Sequence, residues 1–381
     1  MEGADMERVI GSGGSLKRKP AGSLCCHKKH WFQISLLVCF LLIGWTYVFS
    51  VNSLSGWEAL PLHGRYRWFF HQIYHSNLSA DRAHVTTTIP HDIYKTTGPP
   101  TGRPTALQYQ QIHPRNYQFI IDNAEVCRNN PPFLVLMVPV EPDNVAARDA
   151  IRQTWSNSSM VQGKVVVTLF MLGLSPGTDM EKLQQENLQH RDLIQSNFID
   201  TYSNLTIKTM VIMDWLATHC KDATFAAKID SDMFLNVDNL IAMLQRPEIP
   251  KLSYLTGRLM HNRPVIRLNS SKWYVSEELY PDSHYPTYTL GMGYVFSMDL
   301  PGKFVEVSKS VKAFNIEDAY IGLCMKRLGL SPSSPPNLSQ FQTYVTKCDR
   351  CDLSKCITYI LSSSQELLDC WTEFKKPGPR C

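Results

Sequence analysis

Three apolar runs separated by helical segments constrain the fold of this chain most. Such runs are typical of strands that a sheet buries on both faces; they are residues 133–139, 165–172 and 224–229. Between the first two, Asn144 can cap a helix that runs to about Trp155, and residues 180–198 and 205–219 also have a helical period. Because strands and helices alternate, the sequence predicts an α/β domain with a parallel or mixed sheet covered by helices on both faces.

The third apolar run ends in two carboxylates, Asp230 and Asp232, one residue apart. The carboxyl ends of strands in α/β sheets line the crevice where ligands bind, so we expect both side chains in a pocket. Two carboxylates suit Mn²⁺ or Mg²⁺, which fill their other positions with water and phosphate oxygens, and this pattern indicates a metal-bound nucleotide. The alternative is a polar turn in which Asp232 caps the next helix, and an isolated triplet does not decide between the two.

The composition fits a globular protein without a nucleic-acid partner. With 381 residues, 44% of them hydrophobic and 19% charged, the chain can bury a full core. The formal net charge is +4, and much of it comes from the first thirty residues. We therefore find no basic face for nucleic acid.

Residues 31–51 predict a transmembrane helix, because about twenty apolar residues are needed to cross the hydrocarbon core. Basic residues precede the run and almost none follow it closely; they are Lys17, Arg18, Lys19, Lys28 and Lys29. The positive-inside rule then places residues 1–30 in the cytosol and the rest of the chain in a lumenal or extracellular space. A cleaved signal peptide is the alternative, but the long basic segment, the length of the apolar run and the missing cleavage site favour an uncleaved signal-anchor.

Residues 52–116 are rich in proline and threonine and have no clear period, so they indicate a stem or linker. Residues 117–381 then form the lumenal domain. Five Asn-x-Ser/Thr sequons follow the predicted span and are expected to carry glycans; they are at Asn77, Asn157, Asn204, Asn269 and Asn337.

Eight cysteines follow the predicted span, an even number in an oxidising compartment, so we expect disulfides whose pairing the sequence leaves open. The spacing of Cys348, Cys351 and Cys356 offers zinc as an alternative. That alternative is weak, because no second group of Cys or His residues at ligand spacing accompanies it.

Aromatic residues and glycines are concentrated between residues 271 and 294. Aromatic faces stack on the C–H surfaces of sugars while phenol and indole groups bond hydroxyls, so this composition suits a carbohydrate platform. Ordinary aromatic packing in a loop-rich layer is the alternative.

Glu317 and Asp318 open a helix that should end near Gly329. The helix dipole favours acidic residues in a first turn and explains one of them. A carboxylate held beside a like charge in a partly desolvated pocket can have a raised pKa, and it can then act as a general base toward a sugar hydroxyl.

These motifs resemble those of the β-1,3-galactosyltransferases, and they occur in the same order over about residues 117–371. Similarity is greatest to the galactosyltransferase 2 and 1 branches, which also share the pattern at residues 204–209. The matching motifs are RDAIRQTW at 148–155, KIDSDMF at 228–234, KWY at 272–274, YPTYTLGMGY at 285–294 and EDAYIG at 317–322.

The resemblance implies a GT-A fold with a nucleotide-sugar half and an acceptor half, on a type II Golgi membrane anchor. It implies an inverting, metal-dependent transfer of galactose from UDP-galactose to the 3-hydroxyl of terminal N-acetylglucosamine on glycoproteins or glycolipids. Asp230 and Asp232 would hold Mn²⁺, or Mg²⁺, on the donor diphosphate, with Asp232 the direct ligand and Asp230 also near the ribose. Arg148 and Arg152 would contact the donor diphosphate.

On the acceptor side, the resemblance implies that Asp318 is the general base and that Glu317 orients the acceptor. The other acceptor-binding residues it implies form the sugar platform; they are Lys272, Trp273, Tyr274 and Tyr285.

The chain departs from the family pattern at Ile360, which aligns with a histidine that completes the metal shell in many relatives. An aliphatic side chain cannot ligate a metal. Ala319 and Thr289 also differ from the pattern, and the C-terminal segment has additional cysteines.

Several hypotheses stay open at this point. The same chemistry can transfer N-acetylglucosamine or N-acetylgalactosamine, and Ile360 motivates a catalytically weak lumenal binding protein on the same fold. A hydrolase that uses paired carboxylates is the third, either a glycosidase or a phosphatase with Asp230 as nucleophile. It is disfavoured because Lys228 interrupts the strand and because the match to transferase motifs is long.

Overall fold

The computed structural model describes residues 117–128, 130–343, 348–379 and 381. The predicted cytosolic, transmembrane and stem segments, residues 1–30, 31–51 and 52–116, lie outside these ranges, as does Asn77. Within the described ranges, none of the helices has both the length and the apolar character needed to cross a bilayer.

The described residues form two sheets. The strands are β1 (Phe119–Ile121), β2 (Leu134–Pro139), β3 (Met160–Val161), β4 (Lys164–Leu174), β5 (Leu193–Ile199), β6 (Phe225–Ile229), β7 (Met233–Leu235), β8 (Leu255–Met260), β9 (Tyr288–Ser297) and β10 (Thr358–Ile360). The main sheet has the order β1-β5-β4-β2-β6-β9-β8, with β3 paired to β4, and β7 pairs with β10 in a second sheet.

The centre of the main sheet is parallel and its edges are antiparallel. Strands β5, β4, β2 and β6 run parallel, whereas β1 pairs antiparallel with β5, and β9 pairs antiparallel with both β6 and β8. The α/β prediction is therefore confirmed, with a mixed sheet whose four central strands are parallel.

Helices cover both faces of the sheet. They are α1 (Val145–Gln153), α2 (Met180–His190), α3 (Leu205–His219), α4 (Val237–Leu244), α5 (Leu300–Val307), α6 (Glu317–Arg327), α7 (Arg350–Lys355) and α8 (Ser364–Lys375). Strand β2 shows the two layers, since Val135 and Met137 join the core under α3, α5 and α6 while Leu134, Leu136 and Val138 join the core under α1, α4 and α8. Every residue of β2 is buried, as its unbroken apolar run predicts.

One predicted helix is too long. Residues 180–198 have a helical period, but α2 ends at His190, where Arg191 takes the left-handed conformation at φ 54° and donates its N–H to the carbonyl of Asn187. Residues after the cap form β5, which pairs parallel with β4. The prediction was wrong beyond residue 190, because short apolar runs have no period that separates helix from strand and the pairing with β4 decides.

The turn after β6 does not cap a helix. Strand β7 begins at Met233, directly after Asp232, and Asn236 caps α4 by accepting the N–H of Asn239 at 3.1 Å. The alternative in which Asp232 is a helix cap is therefore wrong. Lys228 does not interrupt the strand either, since it lies within β6 and is 3% exposed.

Six of the eight cysteines form disulfides, which confirms the expectation for them. The pairs are Cys127–Cys220, Cys348–Cys370 and Cys351–Cys381. The expectation was wrong for the two buried residues Cys324 and Cys356, which form no disulfide among the described residues. Disulfide sulfurs are not thiolate ligands, so the zinc alternative is wrong. Of the sequons within the described ranges, Asn157, Asn269 and Asn337 are exposed, whereas Asn204 is half-buried.

Candidate active site

Asp230 and Asp232 lie on a turn that is fixed from two sides. The turn follows the carboxyl end of β6, beside the parallel strand β2. The Asp230 N–H donates to the carbonyl of Met292 in β9 at 2.9 Å, and the carbonyl of Asp232 accepts the N–H of Leu361 at 2.8 Å. The pair therefore occupies the edge of the sheet where ligands of α/β proteins bind.

The environment of Asp232 favours a cation. Although the residue is exposed, the protein that surrounds it excludes much of the bulk solvent, and this desolvation, followed by the charge of Asp230, raises the pKa of Asp232 to about 7. A divalent cation would remove that repulsion and hold both groups ionised. The hard oxygen donors of these two carboxylates fit Mn²⁺ or Mg²⁺.

Ile360 lies close to this turn in the fold. It is opposite Met233 in the antiparallel β7–β10 pair, and its successor Leu361 bonds Asp232. Its half-buried side chain packs against the core under α1 and α8. Among the described residues, no third His, Cys, Asp or Glu joins Asp230 and Asp232 in a set of mutually close ligand atoms.

The acidic pair at the start of α6 has two different environments. Glu317 is 7% exposed, and its carboxylate accepts the Tyr294 hydroxyl at 2.6 Å and the Lys228 ammonium at 3.3 Å. Asp318 is half-buried and accepts two backbone N–H groups, from Gly291 at 3.0 Å and from Ala319 at 2.8 Å. Both oxygens of Glu317 thus accept hydrogen bonds from the protein itself. The contact of Glu317 with the acceptor stays a prediction.

Asp318 has the electrostatics of a general base that works near neutral pH. Burial and then the neighbouring charge of Glu317 raise its pKa to about 7, while the two amides and Lys228 act in the opposite direction. A base is most effective when its pKa lies close to the operating pH, because it is then both ionised and basic.

Lys228 joins the two acidic motifs, which sequence analysis did not foresee. Its ammonium contacts Asp230 Oδ1 at 2.7 Å, the Gly291 carbonyl at 2.6 Å and Glu317 Oε2 at 3.3 Å. Burial disfavours the ammonium, but Asp230 and Glu317 outweigh that effect and raise the pKa of Lys228. The group therefore carries a permanent positive charge between the two motifs.

Gly291 allows close packing around this cluster. A Cβ there would lie 3.0 Å from Glu317 Oε2 and 3.2 Å from Asp318 Cβ. The absence of a side chain lets strand β9 approach the acidic pair closely enough for the Gly291 N–H to bond Asp318.

An exposed aromatic surface lies near the carboxylates. Trp273 is 49% exposed, and the Lys272 ammonium lies 4.7 Å from its ring centroid and 6.0 Å from that of Tyr202. Tyr202 was not predicted. The residue is 44% exposed, but desolvation around its hydroxyl, followed by the charges of Asp318 and Asp230, raises the pKa of Tyr202 to about 12. Tyr274 belongs to the same segment, and its carbonyl accepts the side-chain amide of Asn315 just before α6.

The predicted stacking role of Tyr285 is corrected by the structure. The residue is 7% exposed, and its ring stacks on Phe314 at 5.8 Å with an interplanar angle of 14°. A further ring, that of Tyr280, lies 5.2 Å away. No open face is left for a sugar, so Tyr285 supports the platform from the core and does not contribute to its surface.

Arg148 and Arg152 bind carboxylates of the protein itself. Arg148 is fully buried and pairs with Glu186 through two contacts of 2.6 Å, while Arg152 bonds both oxygens of Asp192 at 2.8 Å. The predicted contact of Arg148 with the donor diphosphate is wrong here, because its guanidinium has no exposed surface. Among the described residues, Arg152 forms ion pairs with Asp149, Glu186 and Asp192 and none with Asp230. Its contact with the donor diphosphate stays a prediction.

Comparison with known proteins identifies the family of the chain. A family model described as Galactosyltransferase matches residues 146–336. Mouse β-1,3-galactosyltransferase 1 is 36% identical over 278 residues, which cover 72% of this chain and 84% of that protein. Mouse β-1,3-galactosyltransferase 2 is 39% identical over 270 residues, which cover 69% of this chain and 64% of that protein, so less than two thirds of its length is matched. Among solved structures, the bifunctional glycosyltransferase WbbM superposes with a TM-score of 0.38 at 11% identity, over 64% of this chain and 51% of that chain.

Proposed function

The chain belongs to the galactosyltransferase family, and from this premise we propose that it transfers galactose from UDP-galactose to the 3-hydroxyl of a terminal N-acetylglucosamine. The acceptor would be a glycan on a glycoprotein or glycolipid, and the transfer an inverting in-line displacement that gives a β-linkage. The protein would act in the Golgi lumen on a type II membrane anchor.

The main support for the proposal is that Asp318 lies in one cluster with the Asp-x-Asp turn, the turn that bears Asp230 and Asp232. Asp318 is bonded by Gly291, whose carbonyl accepts from Lys228, and Lys228 pairs with Asp230. A proton acceptor and a candidate site for a metal-bound diphosphate therefore lie in one connected group. A direct displacement at a sugar carbon needs both, on opposite sides of that carbon.

In the proposed reaction, Asp318 takes the proton of the acceptor hydroxyl while that oxygen forms a bond to the anomeric carbon of galactose. The bond from that carbon to the UDP oxygen breaks, and UDP leaves with the electron pair. Asp232, with Asp230 beside it, would hold Mn²⁺ or Mg²⁺, which neutralises the developing charge on the diphosphate. Trp273 and Tyr202 would offer ring faces to the acceptor sugar.

Two alternatives are kept because particular residues favour them. Donor choice rests on few contacts, so transfer of N-acetylglucosamine or N-acetylgalactosamine by the same residues is the first. Ile360 lies beside the Asp-x-Asp turn, where a ligating side chain would strengthen metal binding, and it favours a catalytically weak binding protein as the second.

The test is a transfer assay on the full-length protein in detergent. The three labelled donors UDP-galactose, UDP-N-acetylglucosamine and UDP-N-acetylgalactosamine are each supplied with Mn²⁺, with and without an N-acetylglucosamine-terminated acceptor. We expect acceptor-dependent transfer from UDP-galactose. Transfer from another donor would indicate the first alternative, and UDP binding without transfer would indicate the second.

A further inference from the structure

We propose that Lys228 is a positioning residue of this reaction, an inference that rests on the proposed function. Its ammonium holds the donor-side carboxylate Asp230 and the acceptor-side carboxylate Glu317 in one buried cluster. Through the backbone of Gly291, it also fixes Asp318 at the place where a base must meet the acceptor hydroxyl.

All three N–H groups of the ammonium have an acceptor. They point to Asp230 at 2.7 Å, to the Gly291 carbonyl at 2.6 Å and to Glu317 at 3.3 Å, and the side chain is 4% exposed. A lysine on the surface rarely keeps three acceptors at once, because fixing its long side chain costs conformational entropy. Here one side chain from β6 connects the Asp-x-Asp turn, strand β9 and helix α6.

The ammonium divides the carboxylates of the site into two kinds. It directly pairs with Asp230 and Glu317, whereas Asp232 and Asp318 have no ion pair with it among the described residues. The paired carboxylates are held internally, and the unpaired ones stay available, Asp232 for a cation and Asp318 for a proton. The other titratable groups around the cluster are four phenols and two lysines, of which Lys208 acts on Asp230: Tyr202, Tyr285, Tyr288, Tyr294, Lys208 and Lys272.

The backbone link to Asp318 runs through Gly291. Lys228 fixes the carbonyl of that glycine, and its N–H donates to Asp318 Oδ2 at 3.0 Å. Because a Cβ at Gly291 would crowd Glu317 and Asp318, the glycine lets the strand and the acidic pair stay in contact, and a shift of this backbone segment moves the base. The lysine therefore controls both the charge around Asp318 and its position.

Loss of the ammonium would have two consequences. Asp230 and Glu317 would lose their counter-charge, and the uncompensated negative charge would favour the protonated form of Asp318. The Gly291 carbonyl would also lose its donor. We therefore expect Lys228→Met to lower kcat by at least about tenfold and to shift the acid limb of the kcat/KM profile upward by about one pH unit.

The matched control is Lys208→Met. Lys208 is also a buried lysine, with an ion pair to Asp200 at 2.7 Å and a bond to the carbonyl of Val140. Its charge also acts on Asp230, but among the described residues it forms no hydrogen bond or ion pair with Glu317 or Gly291. Its loss should lower the thermal stability in the same way. It should leave the acid limb of the pH profile where it is.

The rescue variant is Lys228→Met combined with Glu317→Gln. The single substitution adds one uncompensated negative charge to the cluster, and the second substitution removes one, so the acid limb should return toward its wild-type position. Lys228→Arg keeps the charge but not the three-way geometry, so it should keep the acid limb and lose part of kcat. If Lys228→Met does not fold, the double variant and Lys228→Arg carry the test.

The assay measures kcat, KM for donor and acceptor, and the pH profile of full-length protein whose fold is checked by thermal unfolding. A folded Lys228→Met with wild-type kcat and an unmoved acid limb would overturn the proposal, as would a shift of equal size in Lys208→Met. If the wild type transfers no sugar, the proposed function fails instead. The titration of Asp318 is then obtained from the pH dependence of unfolding, with Asp318→Asn as the reference, and an upward shift caused by Lys228→Met supports the positioning role while no shift overturns it.

Discussion

Gly291→Ala tests how tightly the base is held, because it adds one methyl group between β9 and the acidic pair. No strained backbone is involved, since Gly291 is not among the positive-φ glycines. The new Cβ would meet Glu317 Oε2 at 3.0 Å, Asp318 Cβ at 3.2 Å and Asp318 Oδ2 at 3.4 Å. The effect on the site therefore comes from contact with these two carboxylates, in addition to the smaller conformational entropy of alanine in the unfolded chain.

The size of the effect follows from those distances. Glu317 and Asp318 must retreat by a few tenths of an ångström. Overpacking of this kind typically costs about 1–3 kcal/mol of stability. Because a displacement of about 1 Å in a catalytic group can cost about 100-fold in rate, we expect kcat to fall about five- to tenfold.

The control is Gly302→Ala, in the first turn of α5, where a Cβ would lie 3.9 Å from the Cβ of Ala217. That contact is ordinary, and alanine favours a helix over glycine by up to about 1 kcal/mol, so this variant should be slightly more stable and fully active. Both variants are compared by urea unfolding and by galactose transfer under saturating donor. A Gly291→Ala protein that unfolds and turns over like the wild type would refute the packing described for the acidic pair.

Three further predictions concern pH, metal and location. The pKa of Asp318 is raised to about 7 from 3.8, so the folded state binds this proton more tightly than the unfolded state and stability falls as pH rises between about 4 and 7. Asp318→Asn should lack that fall. Between pH 4 and pH 8, its free energy of unfolding should therefore rise by up to about 4 kcal/mol relative to that of the wild type, measured by urea unfolding without metal. Parallel pH profiles of the unfolding free energy in the two proteins would contradict this. Ile360→His should lower the Mn²⁺ concentration for half-maximal transfer, by up to about 10–100-fold, and an unchanged midpoint would mean that the side chain does not reach the metal. Endoglycosidase should reduce the mass of the protein made in animal cells by several glycans, whereas an unglycosylated chain with a C-terminus open to cytosolic protease would exclude a lumenal domain.

The sequence predicted the elements whose structure depends on residues that lie close together along the chain. The unbroken apolar runs became β2, β4 and β6, and Asn144 caps α1 through its side chain as expected. Helix α6 begins at the acidic pair, and Gly329 follows it at φ 72°. In each case, burial or capping acts within a few residues along the chain.

Pairing over long sequence distances was not predictable in the same way. Residues 193–199 became a strand because β4 offered a parallel partner, and the aromatic segment contains β9, which its composition did not indicate. The link between Lys228 and Glu317 spans 89 residues of sequence. A lysine in an apolar strand gives no indication of its partner until the fold brings the partner near.

The role of two arginines shows the same limit. The sequence predicted that Arg148 and Arg152, four residues apart, share one helix face. It did not predict which carboxylates they bind. The structure provides Glu186 for both, so their charges are used within the protein. For the fully buried Arg148 this pairing is structural, whereas the donor contact of Arg152 stays a prediction.

Turnover by Asp318→Asn decides whether Asp318 is the catalytic base. The substitution keeps the volume of the side chain and removes the proton acceptor. General-base catalysis typically contributes about 10²–10⁴-fold, so galactose transfer from UDP-galactose should fall by that factor while UDP binding, measured by calorimetry with Mn²⁺, is retained. Transfer at a near-wild-type rate by a folded Asp318→Asn protein would show that Asp318 is not the base and would contradict the account.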